Sequence, residues 1–279
     1  MRIALCNEVI AGRDFAAQCA FAAALGYDGL EVAPFTLADD PLAIVAADRV
    51  RFRRAAADAG IAITGLHWLL VKPTGLSITT ADVALRARTV AAMTALVDLC
   101  ADLGGRYLVH GSPAQRRVPD GEPRDVAWSR ARDAFATAAA AAARAGVVYL
   151  VEPLPRDETD LVNTLDEAVA MVREVGHPAL KTMLDTKSAS LAEASPVALL
   201  AAHWLPTGLI GHVQVNDRNR RGPGQGGDRF AALFRVLRAH GYAGDVAVEP
   251  FDYVPDGVGC AARAIGYLRG LCEALDADG

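Results

Sequence analysis

Four short apolar runs in the sequence each carry one side chain with oxygen donor atoms. These residues are Glu152, Asp185, Gln214 and Glu249. An unpaired carboxylate among apolar side chains is costly, and three carboxylates that converge also repel one another. A divalent cation between them is the simplest way to relieve both effects. The pattern therefore indicates a metal site.

The donor set narrows the kind of metal. Three carboxylates and one amide oxygen are hard ligands, which suit Mn²⁺, Mg²⁺ or Co²⁺ better than a metal that prefers thiolates. The residues alone leave a second interpretation open, in which the four side chains pair with arginines or lysines around the rim of the fold.

The elements that must position these residues alternate along the chain. Eight short apolar runs predict strands at residues 3–5, 29–33, 61–66, 106–109, 147–151, 180–184, 210–215 and 245–248. Between them lie segments with apolar residues at helical spacing, for example 82–103, 125–145, 165–175 and 229–240. Several of these segments end in a glycine, the usual stop signal of a helix. The repeating unit is a strand followed by a helix.

The number of units favours a closed (β/α)8 barrel. Strands such as 147–151 are apolar throughout, as expected when both faces of a parallel sheet are covered. An open doubly wound sheet would also cover both faces, but no G-x-G-x-x-G motif follows the first strand and no phosphate-binding loop motif occurs. No linker or change of composition divides the chain. We therefore predict one α/β domain, a TIM barrel over residues 1–279.

Active sites of such barrels lie at the carboxyl ends of the strands. The same rule marks Asn7 and Glu8 after the first strand, Glu31 in the second, and His67 and His110 after the third and fourth. The two histidines are candidate substrate contacts, or hydrogen-bonded wall residues.

Two further residues follow from these strand ends. Trp68, beside His67, is a candidate wall for the apolar face of a sugar, or a packed core residue. His212 shares one strand face with Gln214 and is expected deeper in the barrel.

At these residues the chain resembles, over its full length, the xylose-isomerase-like barrels, and among them the ketose 3-epimerase and hydroxypyruvate isomerase branches. The most specific stretch is E-P-L-P-R-D-E at 152–158 with Asn163-Thr164, which is similar to the E-x-L-x-R-x-E-x4-N-T run of the epimerases. Asp185 and Glu249 match the metal ligands of strands six and eight. Residues 211–214, G-H-V-Q, resemble the G-H-x-[HQ] segment that precedes a substrate-binding arginine, here Arg220.

The resemblance implies proton transfer at a carbon next to a carbonyl group, through an enediolate that the metal stabilises. Glu152 and Glu249 would then serve as acid and base as well as metal ligands. Glu158 and Arg220 are expected to hold substrate hydroxyls, and Arg220 can also bind a carboxylate or phosphate. Lys187, two residues after Asp185, is expected near the metal and the developing negative charge.

Two positions depart from the sugar-converting pattern. Gln214 stands where epimerases have histidine, whereas the hydroxypyruvate isomerase branch uses glutamine. Ser188 stands where sugar-converting members carry a substrate-binding histidine. The predicted activity is therefore that of an isomerase or epimerase of a small sugar or a hydroxy-keto acid.

Functions other than isomerisation or epimerisation are also compatible with this barrel. A dehydratase or lyase would share the site residues, and a non-catalytic carbohydrate-binding barrel would keep the fold without turnover. Histidines at two consecutive strand ends, His67 and His110, also resemble the pattern of the endonuclease IV branch. That branch needs further histidines where Ser188 and Gln214 stand, so DNA repair is disfavoured.

Composition agrees with a small-molecule enzyme. A formal charge of −5, from 28 basic and 33 acidic residues, offers no general attraction for nucleic acid. Five scattered cysteines without a C-x-x-C pair predict a reducing compartment. No signal peptide and no long uncharged apolar run is recognised. We therefore expect a cytoplasmic protein without a membrane segment. Apolar residues in a predicted helix at 196–204 leave a homo-oligomer open.

Overall fold

Eight parallel strands close into a barrel in the computed structural model, which describes residues 1–277. The strands pair in chain order, and β1 closes the barrel by pairing with β8. They are β1 (Arg2–Cys6), β2 (Gly29–Val32), β3 (Ala62–Leu66), β4 (Tyr107–His110), β5 (Val148–Val151), β6 (Leu180–Asp185), β7 (Ile210–Val215) and β8 (Asp245–Val248). The predicted (β/α)8 barrel is confirmed.

Helices occupy the connections between the strands. They are α1 (Phe15–Leu25), α2 (Ala46–Asp58), α3 (Val83–Leu103), α4 (Arg124–Ala145), α5 (Leu165–Val175), α6 (Thr186–Ala192), α7 (Val197–Trp204), α8 (Ala231–Ala239) and α9 (Gly257–Ala277). Within residues 1–277, no helix combines the length and the apolar content needed to cross a bilayer.

Local sequence sets the helix boundaries. The carboxylate of Asp82 accepts hydrogen bonds from the backbone N–H groups of Ala84 and Leu85 and so starts α3. Gly104 ends α3 with φ of 83°, a backbone conformation that costs glycine little. Helix α7 begins one residue later than the predicted helix at 196–204, because Pro196 is extended, with ψ of 140°, and occupies the N-cap position.

Side chains of each strand alternate between the barrel interior and the helix layer. In β4, Tyr107 points inward and stacks on His212 of β7, with ring centroids 4.1 Å apart. His110, three residues later, points outward and packs edge-on against Phe135 of α4. The barrel interior therefore contains polar side chains below the strand ends, while the apolar core fills the space between strands and helices.

Candidate active site

Three buried carboxylates meet at the carboxyl ends of the strands. Glu152 follows β5, Asp185 is the last residue of β6 and Glu249 follows β8. One oxygen from each lies within 4.8 Å of the others. All three line a cavity of about 470 Å³ that opens at this end of the barrel. The structure thus brings together the three acidic residues that the sequence singled out.

Burial and mutual repulsion change the acidity of these groups. Burial raises the pKa of Glu152 well above its ordinary value, and the charges of Glu249 and Asp185 raise it further. Burial likewise raises the pKa of Glu249 to about 8, although the neighbouring His67 lowers it in part. The pKa of Asp185 is also raised, mainly by burial. The cluster therefore carries unfavourable negative charge that a bound cation would offset.

Gln214 lies beside this cluster and is fully buried. It is the register partner of Asp185 across β6 and β7. Its Nε2 donates a hydrogen bond to Glu31 Oε1 at 2.6 Å. Within residues 1–277, Gln214 Oε1 and Asp185 Oδ2 have no hydrogen-bond donor. Two buried acceptor oxygens without donors, next to converging carboxylates, fit a hard divalent cation.

The backbone around Glu152 leaves room for its side chain. A Cβ atom on Gly111 would collide with Glu152 Oε2, so glycine at this point leaves the carboxylate its space. Behind them, the fully buried Arg116 donates from Nη1 to the Glu152 carbonyl oxygen at 2.6 Å. The positive charge of Arg116 favours the ionised form of the Glu152 carboxyl. Gly111 thus leaves space for the Glu152 carboxylate, and Arg116 holds the backbone from which this side chain projects.

His67 bridges two carboxylates and does not line the cavity. Its Nδ1 lies 2.9 Å from Glu249 Oε1, and its Nε2 lies 3.0 Å from Glu8 Oε2. Burial opposes a charge on this ring, but Glu8 and Glu249 outweigh burial and raise the pKa of His67 well above its ordinary value. Cys6 completes a second group of candidate ligands with these residues. Both ring nitrogens of His67 therefore contact carboxylates, and the ring links Glu249 to Glu8.

Lys187 and Arg220 line the other side of the cavity. Lys187 Nζ donates to Glu158 Oε1 at 2.5 Å, and its side chain is only 4% exposed. Lys187 Nζ and the Arg220 guanidinium lie 5.4 and 5.7 Å from the ring centre of Phe251. Trp68 packs edge-on against Phe251 at 5.8 Å. The cavity therefore has one acidic wall and a second wall that is cationic and aromatic.

The structure separates His110 from these residues. His110 is fully buried outside the barrel interior, and its Nδ1 lies 2.9 Å from the Tyr149 hydroxyl. Because it faces α4, it has no path to the cavity. Ser188 does not line the cavity either, although its backbone N–H donates to Asp185 Oδ1.

Several residues of the site were not assigned a role from sequence. The strand-end rule marked Glu8 and Glu31, but nothing local showed that they contact His67 and Gln214. Arg116 and Phe251 lie in connections after strands, where spacing carries little information. Only their contacts in the barrel reveal them.

A closed (β/α)8 barrel with three acidic side chains that converge at its carboxyl edge has these residues where enzymes of this fold carry their active sites. The profile of the Xylose isomerase-like TIM barrel family matches residues 19–271. The chain belongs to this family.

Individual relatives are sugar epimerases. The chain is 35% identical over 175 residues to L-ribulose 3-epimerase of Mesorhizobium japonicum, a match that covers 63% of this chain and 58% of that enzyme, less than two thirds of its length. It is 27% identical over 216 residues to 3-dehydro-D-guloside 4-epimerase of Escherichia coli, covering 71% of this chain and 81% of the relative. A solved structure of L-ribulose 3-epimerase superposes with a TM-score of 0.84 at 26% identity, covering 99% of this chain and 96% of that one.

Proposed function

We propose that this chain is a divalent-metal-dependent epimerase of a small ketose that moves a proton at the carbon next to the carbonyl group. The observation that carries the proposal is the convergence of Glu152, Asp185 and Glu249 within 4.8 Å at the mouth of the barrel. The names of the relatives, L-ribulose 3-epimerase and 3-dehydro-D-guloside 4-epimerase, support sugar epimerisation as the reaction class.

Four residues would hold the metal, namely Glu152, Asp185, Gln214 and Glu249. Their carboxylate and amide oxygens suit Mn²⁺, Mg²⁺ or Co²⁺. A bound divalent cation supplies a Lewis acid that stabilises the negative charge of an enediolate.

Glu152 and Glu249 are the proposed acid and base. They follow β5 and β8, two strands separated by β6 and β7, so their side chains enter the site from different sides. The pKa of each carboxyl is raised by burial, and both hold a proton more readily than an exposed glutamate does. This suits groups that take a proton from carbon and return one. Removal on one face and return on the other inverts the carbon.

The second wall of the cavity would hold the rest of the sugar. Glu158 is a candidate acceptor for a substrate hydroxyl, and Lys187 keeps that carboxylate in place. Arg220 is a candidate donor to the substrate, and Trp68 a candidate wall for its apolar face. In this proposal, His67 holds the Glu249 carboxylate through the contact of its Nδ1 and does not contact the substrate.

The test is exchange of solvent deuterium into L-ribulose and D-psicose in the presence of Mn²⁺, followed by NMR. We expect exchange at the carbon next to the carbonyl group, with an epimer as product. Glu152→Gln and Glu249→Gln should each lower turnover by about 10²–10⁴-fold, because each removes one proton-transfer group. Glu273→Gln, on the exposed surface of α9, is the matched control and should keep full activity.

Wild-type activity in both active-site variants would overturn the acid and base assignment. Hydroxypyruvate belongs in the same panel, because Gln214 resembles the hydroxypyruvate isomerase branch. An aldose or a dehydrated product instead of an epimer would redirect the proposal to isomerisation or dehydration with the same residues.

A further inference from the structure

Glu31 is a fully buried carboxylate in β2 that the proposed reaction does not use. Its two oxygens have different partners. Oε1 accepts from Gln214 Nε2 at 2.6 Å. Oε2 accepts from the Tyr107 hydroxyl at 2.6 Å and lies 2.7 Å from His212 Nε2. Glu31 therefore connects Tyr107 and His212 in the barrel interior with Gln214, which lies at the level of the carboxylate cluster.

Packed neighbours hold Glu31 in place. His212, which lies against Oε2, is itself stacked on the Tyr107 ring, with centroids 4.1 Å apart. Glu31 is thus a hydrogen-bond acceptor in a packed environment.

The hydrogen bond to Glu31 determines which way the Gln214 amide faces. Because a carboxylate only accepts hydrogen bonds, the atom of Gln214 that faces Glu31 must be the donor Nε2. The amide oxygen then faces away from Glu31, and it has no donor within the part of the chain that the structure describes. Gln214 is also the register partner of Asp185, which carries the other buried oxygen without a donor.

We propose that Glu31 is a positioning residue that holds the Gln214 amide with its oxygen available to the divalent cation. The inference rests on the proposed metal site and extends it by one residue. A glutamine amide can rotate about its terminal bond and present either N or O, unlike a carboxylate, which presents oxygen both ways. In this chain the carboxylate of Glu31 removes that ambiguity. Partners of this kind typically change metal affinity by about 10–100-fold when they are replaced.

The test is a double-mutant cycle at positions 31 and 214, read as the dissociation constant of Mn²⁺ alone, measured by EPR on metal-stripped protein. Glu31→Gln should weaken Mn²⁺ binding about tenfold, because one amide oxygen cannot serve donors on both sides of the residue. In a Gln214→Glu background the same substitution should weaken binding far less, because a carboxylate presents an oxygen to the metal whichever way it faces.

This difference between the two backgrounds is the criterion, because a loss of negative charge or of general stability would weaken binding equally in both. Tyr107→Phe is the matched control. It removes a hydrogen bond to Glu31 Oε2 but leaves Gln214 and His212 in contact with the carboxylate, so Mn²⁺ affinity should stay within about threefold of wild type, below the range expected for a metal-positioning partner. Thermal unfolding of each variant shows that it is folded.

The outcomes distinguish failure of the positioning role of Glu31 from failure of the metal site itself. If wild-type protein binds Mn²⁺ and Glu31→Gln changes affinity equally in both backgrounds, the positioning role is overturned while the metal site stands. If wild-type protein does not bind Mn²⁺, Mg²⁺ or Co²⁺, the proposed metal site fails, and the role of Glu31 fails with it.

Discussion

Buried ionisable residues in this barrel divide into two kinds. Burial and neighbouring carboxylates raise the pKa values of Glu152 and Glu249. Glu31 is buried as well, but His212, His67 and Tyr107 lower its pKa to about 2. The residues of the first kind line the cavity, and Glu31 lies below it. Such pairs of shifted carboxyls often mark the reacting groups of an enzyme.

His110 allows a test at the residue scale. Burial, assisted by the charge of Arg116, lowers the pKa of His110 from its ordinary 6.5 to about 3. Between these two pH values the unfolded chain binds a proton that the folded chain does not, so stability falls as the pH falls through this window. His110→Gln removes the titrating ring. Acidification from pH 7 to 5 should therefore cost wild type about 2 kcal/mol more than it costs the variant.

Thermal unfolding at both pH values measures this difference. Parallel pH profiles for the two proteins would contradict the burial argument. Since His110 faces α4, its replacement should also leave the Michaelis constant unchanged at pH 7.

At the scale of elements, the end of β4 shapes the site because the residue there has no side chain. Gly111 follows this strand, and a Cβ there would occupy the space of the Glu152 carboxylate. Gly111→Ala should displace that carboxylate while leaving the barrel intact. A displacement of about 1 Å lowers turnover by about 10²-fold, and Mn²⁺ binding should weaken with it.

Turnover and Mn²⁺ affinity, measured together, check this expectation. Gly227→Ala is the control, because no atom lies within 4 Å of the added Cβ at that position. Equal activity of the two variants would show that the site tolerates movement of Glu152.

At the scale of the whole molecule, strands far apart in sequence share the proposed metal ligands. One proposed ligand lies in, or directly after, each of β5, β6, β7 and β8. Metal binding should therefore stabilise the folded barrel as a unit. At a free Mn²⁺ concentration of 100 times its dissociation constant, the gain should be about 2.7 kcal/mol.

Thermal unfolding with added Mn²⁺ and with EDTA reports this gain as a shift in melting temperature. A Glu152→Gln, Glu249→Gln double variant should lose most of the shift, because half of the proposed ligands lose their charge. An undiminished shift would place the stabilising metal elsewhere in the molecule.

Sequence alone determined the barrel and the three converging carboxylates. Eight strand–helix units predicted the closed sheet, and parallel strands bring their carboxyl ends to one edge whatever the distance along the chain. Glu152, Asp185 and Glu249 therefore had to meet once the strand ends were recognised.

Only the tertiary structure decided which strand-end residues reach the cavity and which partners hold them. His110 ends its strand as Asp185 does, yet it faces the helix layer, because the two-residue alternation places neighbouring side chains on opposite faces. Glu31 and Gln214 lie 183 residues apart and meet across the barrel interior. Such contacts depend on barrel closure and strand register, and these follow from the packing of all eight strands together.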